Sequence, residues 1–558
     1  MCIRDSWYTV DDSDGGEVYT LHRRKGKESW TYKKSIGPFV AVVRNRCYVI
    51  ETENTLWLRR VISLDAEKGD DRQVLLEMEN PQWNIQFVKG ERGSLFVVAN
   101  NAGKQRCWML KGSELEEVPG YTSFLPVAIQ DGKASFFGRK EGSMSYEAVR
   151  CKGHFPSLIS NTPEAYLPSL HYLITRRFGE RTIWNTKTGK RVLTLVGNID
   201  VDTLPSWKGK DPVITIAKPG SYREDLPTVL SGESLCPYAR SRRYFTKSKD
   251  GTAIPYILVS SCKVKHLLCI VYGAYGVPTR VHTERWKPLL DRGWGLCFAL
   301  VRGGGDHTDA WAEEGRRDGK PHSIEDFEAC IRAAQKHFHV GASSICLYGR
   351  SAGGYTVGTT LARHASGSLF QAVYTEVPYV DVFNTTSNPD LPLTRLEYNE
   401  FGDPHRLPNA QTLLTLSPID ALPSSGAPSI FVLSRTALND KEVFAYESVK
   451  WISRLLRLQG KNGAPKLLAV ESKEGHFAPP SSSAFQRATD MALLHSWLLH
   501  NKKSKTRIYK MANTRRNNAA SRKRRNNVAS RKRRNNVTMG GKRRKAAGTR
   551  RRRTTHRK

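Results

Sequence analysis

Hydrophobic and polar positions change rhythm along this chain, and the change falls around Cys236 to Arg243. From about Trp7 to about Leu235, short alternating or continuous apolar runs such as "FVAVVRNRCYVIET", "SLFVVAN" and "RCWMLKG" are broken by Gly, Asn, Asp and Pro. Period-two alternation between turn residues predicts short antiparallel strands, and helical three-four spacing is scarce there. The expectation is an all-β region, either propeller blades or a sandwich; no clean repeat period is visible that would decide for blades.

Beyond that point "RRYFTKSKDGTAIPYILV" predicts a hairpin turning at Asp250-Gly251. Strand-like runs then alternate with longer segments: "HLLCIVYGAYG", "GWGLCFALVRGGG", a helix near Ile324 to His337, "SSICLYGRS", "QAVYTEVPYVD", "SIFVLSRTALND" and "PKLLAVESKEGHF". Alternating strands and helices predict a largely parallel sheet covered on both faces, with an active-site rim at the carboxyl ends of its strands. The domain expectation is therefore a propeller-like region over 1–235, an α/β domain over 236–500 and a tail over 501–558.

Charge sharpens that division. The 558 residues carry a formal net charge of +35. From Asn501 onward there are 25 Lys and Arg and no Asp or Glu, which leaves about +10 for the rest. Within the tail, "RRNNAASRKRRNNVASRKRRNNVTMGG" repeats every nine residues and is followed by "KRRK" and "RRRTTHRK". Low hydrophobicity and single-sign charge do not support a packed core, so the expectation is disorder. Nonspecific contact with nucleic acid or another polyanion, a nuclear address, and a solvated extension are the readings such a run allows. The tail has no interleaved aromatics for base stacking, so sequence-specific reading is not expected.

The ten cysteines form no CxxC pair and no Cys/His cluster at zinc spacing, and Cys269, Cys297 and Cys346 sit in apolar runs. They read as reduced core residues of a cytoplasmic protein. No run approaches the ~20 apolar residues of a membrane span. One back-translation of the first six residues, "MCIRDS", looks like a library adapter, so these residues are set aside and the upstream end is expected to be missing.

The stretch "ICLYGRSAGGYTVG" places Ser351 among glycines directly after a strand-like run. Gly-x-Ser-x-Gly suits a sharp strand-to-helix turn that lifts the serine oxygen above the sheet edge, although alone it describes many glycine-rich turns. A serine hydroxyl needs a base, and the base is best oriented by a third group. Asp440 follows the apolar run Ile430 to Leu433, and His476 follows Leu467 to Val470. The order Ser, Asp, His at successive strand ends is that of α/β-hydrolases.

Beyond the triad, "YGAYG", "LLDRGWGLCFALVRGGGD", "GRSAGG", "VPYVDVFNT" with "LPLTRLEYNEFGDP", "LNDKEVFAYESVKW" and "EGHF" together resemble the prolyl oligopeptidase family of serine peptidases, most closely its oligopeptidase B branch. The resemblance spans about Tyr244 to Leu499. It implies an α/β-hydrolase domain capped by a β-propeller that restricts access to short peptides, with no metal or cofactor. It implies Ser351 as nucleophile, His476 as base and then acid, Asp440 as its orienter, and an oxyanion hole from the Tyr272 hydroxyl and the Ala352 N–H. It further implies cleavage after Arg or Lys, with Glu397 and Glu400 as substrate-binding acids; Asn399 stands where some members are acidic. Where the family often has an arginine or polar residue two positions after the catalytic Asp, this chain has Glu442. The loop Val277 to Glu284 lacks the paired acids that some members use for a second basic residue. Post-proline cleavage is the rival reading within the family, and a weakly active polyanion-binding protein the rival outside it. The region before Tyr244 is shorter than a complete family propeller, which adds to the expectation of a missing upstream part.

Overall fold

In the computed structural model, the described residues are 2–499 apart from 4–5, 13–18, 26–27, 53–57, 81–82, 92–93, 102–103, 131–132, 144, 156–157, 160, 168–170, 197–199, 203–212, 216–239, 261–262, 282, 425–428, 460–462, 473 and 477–479. The expected boundary at 235/236 and the basic tail over 501–558 lie outside them. Residues 1–494 form one compact unit.

Alternation in the first part of the chain becomes antiparallel meanders. Strands between Cys2 and Glu77 make a seven-stranded sheet, and three four-stranded sheets follow over 84–117, 123–159 and 162–196. These three open at Asn84, Ser123 and Thr162, a spacing of 39 residues each time. Period two explains how neighbouring sheets join: along one strand Leu95, Val97 and Ala99 enter the core shared with the preceding sheet, while Phe96 and Val98 enter the core shared with the next. Sequential four-stranded sheets stacked through both faces are propeller blades. Of the first residues, Cys2 pairs with Trp7 and Ile3 with Ser6.

The second part is one eight-stranded sheet. Its strands are β1 (Arg240–Lys247), β2 (Ala253–Ser260), β3 (His266–Val271), β4 (Trp294–Ala299), β5 (Ile345–Arg350), β6 (Ala372–Glu376), β7 (Phe431–Ala437) and β8 (Lys466–Glu471), in the spatial order β1-β2-β4-β3-β5-β6-β7-β8. The β1–β2 and β2–β4 pairs are antiparallel and every later pair is parallel. The hairpin turns where the sequence predicts it, Lys247 facing Ala253. Helix α1 (Lys320–Phe338) brackets the predicted span, and α2 (Ala352–Arg363), α3 (Thr394–Phe401) and α4 (Ala445–Leu458) follow β5, β6 and β7. Strands β3 and β4 are buried at every position because helices cover both faces, hence their continuous apolar runs. Cys269, Cys297 and Cys346 are fully buried free thiols in β3, β4 and β5.

Propeller and hydrolase sheets touch through polar contacts. The Arg176 guanidinium donates to the Gly305 carbonyl at 2.6 Å, the Phe178 N–H to the Asp306 carbonyl at 3.0 Å, and the Asn399 amide to Asn101 Oδ1 at 2.7 Å. Among the described residues no helix is long and apolar enough to cross a membrane.

Candidate active site

Strand β5 ends at Arg350, α2 begins at Ala352, and Ser351 alone makes the turn with φ +54° and ψ −126°. A non-glycine residue there costs on the order of 1 to 3 kcal/mol and persists only when its surroundings fix it. Three backbone hydrogen bonds do so: Ser351 N–H to the Glu376 carbonyl, and the Gly354 and Tyr379 N–H groups to the Ser351 carbonyl, at 3.0, 2.7 and 3.0 Å. The flanking glycines are steric necessities. A Cβ on Gly349 would lie 2.2 Å from the Gly353 carbonyl oxygen, and one on Gly353 would lie 2.5 Å from that of Val271.

The loop after β8 brings His476 to this turn, its Nε2 at 3.1 Å from Ser351 Oγ. The loop after β7 brings Asp440, whose Oδ2 accepts from His476 Nδ1 at 2.8 Å. Both partners are buried, and Asp440 Oδ1 also accepts the backbone N–H groups of Glu442 and Val443 at 2.9 and 2.8 Å. These bonds hold the carboxylate still, which fixes the imidazole tautomer that leaves Nε2 as an acceptor toward the serine. From the other side, the Arg350 guanidinium donates to the His476 carbonyl.

Ser351 opens onto a cavity of about 310 Å³ lined also by Ala352, Tyr272, Tyr275, Glu397, Asn399, Glu400 and Glu442 and, from the propeller, by Asn84 and Asn100. Tyr272 follows β3, and burial raises its hydroxyl well above the ordinary tyrosine range, so it remains an O–H donor at neutral pH. The Ala352 N–H stands at the first turn of α2, the positive end of the helix.

Glu397 and Glu400 sit three residues apart on α3 in different electrostatic settings. Glu397 accepts the Tyr275 hydroxyl at both carboxylate oxygens, and burial, aided by the charge of Glu400, pushes its acid constant up to about 8. Among the described residues no Lys or Arg forms an ion pair with it. Glu400 accepts from Arg316 Nε at 2.9 Å and from Lys320 Nζ, and all three side chains are almost fully buried. Its charge is matched inside the protein. Both acids line the cavity, but Glu400 has direct cationic partners in Arg316 and Lys320, whereas Glu397 is bonded to the neutral Tyr275 hydroxyl and feels the charge of Lys320 without an ion pair to it.

Sequence reasoning brought together the residues that this geometry joins as the triad and missed Tyr275, Arg350, Arg316 and Lys320. Arg350 adjoins the serine in "GRSAGG" and Tyr275 stands three residues past Tyr272 in "YGAYG", and those adjacencies were the available signal. Arg316 and Lys320 had none. Among the described residues no group of His, Cys, Asp and Glu is arranged to hold a metal ion.

An eight-stranded sheet in this order, with an elbow serine, a histidine and an aspartate on its carboxyl rim, defines the α/β-hydrolase class. Within that class, residues 281–504, which contain all three triad residues, match the prolyl oligopeptidase family. Protease 2 of Moraxella lacunata is 29% identical over 276 residues, which cover 48% of this chain and 39% of that protein. Dipeptidyl aminopeptidase BI of Pseudoxanthomonas mexicana is also 29% identical, over 289 residues covering 50% of this chain and 39% of the relative. The matched part thus spans about two fifths of the length of these curated relatives. Among solved structures, oligopeptidase B from Leishmania major superposes with a TM-score of 0.71 at 20% identity, covering 88% of this chain and 77% of that one. That likeness supports the propeller-plus-hydrolase fold.

Proposed function

We propose that the protein is a serine oligopeptidase that hydrolyses short peptides after Arg or Lys through an acyl-enzyme on Ser351. The observation that carries this reading is the unbroken contact from Asp440 through His476 to Ser351, opening onto a cavity that also holds Glu397. His476 Nε2 takes the Ser351 proton as Oγ attacks the scissile carbonyl, then returns it to the leaving amine; water repeats the sequence to release the acid. Asp440 keeps Nδ1–H in place and stabilises the imidazolium. The tetrahedral oxyanion is received by the Tyr272 hydroxyl and the Ala352 N–H, fixed donors worth roughly 3 kcal/mol each.

Specificity follows from Glu397. The apolar side chains of Val277, Leu393, Leu396, Val443 and Phe444 line the same cavity and suit the methylene stem of Arg or Lys, while Glu397 meets its charge. Arg is preferred because its planar fork pairs with both carboxylate oxygens. Comparing kcat/KM on matched Arg, Lys, Pro and Phe fluorogenic dipeptides tests the reading, and a preference for Pro would replace it by the post-proline alternative. The buried thiols favour a reducing, cytoplasmic setting. The tail over 501–558 is proposed to hold polyanions through its 25 Lys and Arg, which also leaves a nuclear address open to it. Truncation after His500 then abolishes salt-sensitive nucleic-acid retention and leaves peptide hydrolysis unchanged; equal retention would remove the tail from that role.

A further inference from the structure

His476 has two neighbours at one nitrogen. Its Nε2 lies 3.1 Å from Ser351 Oγ and 3.4 Å from Glu442 Oε2. Glu442 stands two residues past Asp440, and its backbone N–H is tied to the Asp440 carboxylate. Its side chain is only 28% exposed and helps to line the cavity onto which Ser351 opens. Resting on the serine-hydrolase reading above, we infer that Glu442 is a positioning residue of the triad: its carboxylate shares Nε2 of His476 with Ser351 and thereby sets the pH at which the imidazole is free to act as a base.

A base for Ser351 needs an unprotonated lone pair on Nε2, directed at the hydroxyl. Place an acid 3.4 Å from that lone pair and the two groups take up one proton together. If the proton sits on the ring, Nε2–H is held by the Glu442 carboxylate; if it sits on the carboxyl, the O–H points back at Nε2. In either arrangement the lone pair is occupied and Ser351 has no acceptor. The negative carboxylate, 3.4 Å from Nε2, favours the positive ring, and a neutral amide in its place would not.

The other charges around the pair fix the sign. Burial disfavours the ionisation of Glu442, as Asp440 does from the same loop; His476 itself and Arg350, at the end of β5, favour it. Tyr272, at the end of β3, also feels the charge of Glu442 and stays protonated. Asp440 acts on the opposite ring nitrogen and Arg350 bonds the backbone carbonyl of His476, so neither competes for Nε2. Glu442 Oε2, at 3.4 Å, faces Nε2 itself.

Once substrate fills the cavity, the same carboxylate lies beside the imidazolium formed as Ser351 attacks. It stabilises that state, so the alkaline plateau of kcat retains its benefit while activity on the acid side is suppressed. Changing the side chain to Gln leaves the backbone bond to Asp440 intact.

The test is the pH dependence of kcat/KM for a small neutral ester, which does not engage Glu397, in wild type, Glu442→Gln and Glu442→Asp. The inference expects the acid-limb midpoint of Glu442→Gln to lie lower than wild type by about 0.5 to 2 pH units. Glu442→Asp should fall between them. Coincident midpoints for wild type and Glu442→Gln would overturn it, even if the variant were slower at every pH. If Glu442→Gln is too weak to assay, NMR titration of the His476 ring in Ser351→Ala, with and without Glu442→Gln, decides by the same criterion. Wild-type protein that hydrolyses no ester and takes up no fluorophosphonate would overturn the triad reading itself, an outcome distinct from an active enzyme whose midpoint does not move.

Discussion

The Tyr275 hydroxyl donates to both carboxylate oxygens of Glu397, at 3.0 and 2.8 Å, across 122 residues of chain. A buried acid is thereby held in place by a neutral donor, and the nearby cation Lys320 is paired with Glu400 instead. Glu397→Gln is expected to lower kcat/KM for Arg substrates by roughly 2 to 4 kcal/mol, the scale for removing one partner of a desolvated charge pair. Hydrolysis of a neutral ester should change little. Retained Arg preference in the variant would take Glu397 out of the specificity site.

Proton release should accompany binding of a basic substrate. Burial holds Glu397 at about 8, so near pH 7 its carboxyl is mostly protonated; an arriving guanidinium favours the ionised form and draws the constant down. The ratio of kcat/KM for Arg to that for Phe substrates therefore rises with pH, by up to about tenfold per unit, and levels off above pH 8. Taking the ratio cancels the pH dependence of the catalytic steps that both substrates share. A ratio that stays constant between pH 6 and 8 contradicts this assignment.

Glu400 should behave as a structural residue. Glu400→Gln leaves Lys320 and Arg316 buried beside a neutral amide, and removing one partner of such a group destabilises by about 3 to 5 kcal/mol. Denaturant melts should show this loss for Glu400→Gln and little or none for Glu397→Gln, while the folded Glu400→Gln protein keeps its Arg preference. Loss of that preference without loss of stability would return Glu400 to the substrate.

For the oxyanion hole, Tyr272→Phe is expected to lower kcat by about 10² to 10³, the usual consequence of removing one fixed donor, with KM nearly unchanged. A fall confined to KM would make Tyr272 a wall of the cavity and no more.

What the sequence made legible was whatever depends on local periodicity and on strand ends. Continuous burial of β3 and β4 reads directly as apolar runs, and a triad whose members each end a parallel strand reads from order alone. The 39-residue blade spacing stayed hidden because a blade requires only alternation; Val97 and Phe136 serve equivalent strands without resembling each other. Likewise the pairing of Lys320 with Glu400 spans 80 residues and is created where the start of α1 meets α3, so Glu397 and Glu400 look equivalent in the sequence. The contact between Glu442 and His476 depends on where two loops meet above the sheet, and no spacing encodes it.

The central claim is that Ser351 is a nucleophile activated by His476. Treatment with a fluorophosphonate probe, followed by peptide mapping, reads it directly. The account predicts stoichiometric labelling on Ser351, abolished in Ser351→Ala, slowed by at least ~10³-fold in His476→Ala, and matched by an equal loss of peptide hydrolysis. Undiminished labelling or turnover in folded Ser351→Ala would contradict it.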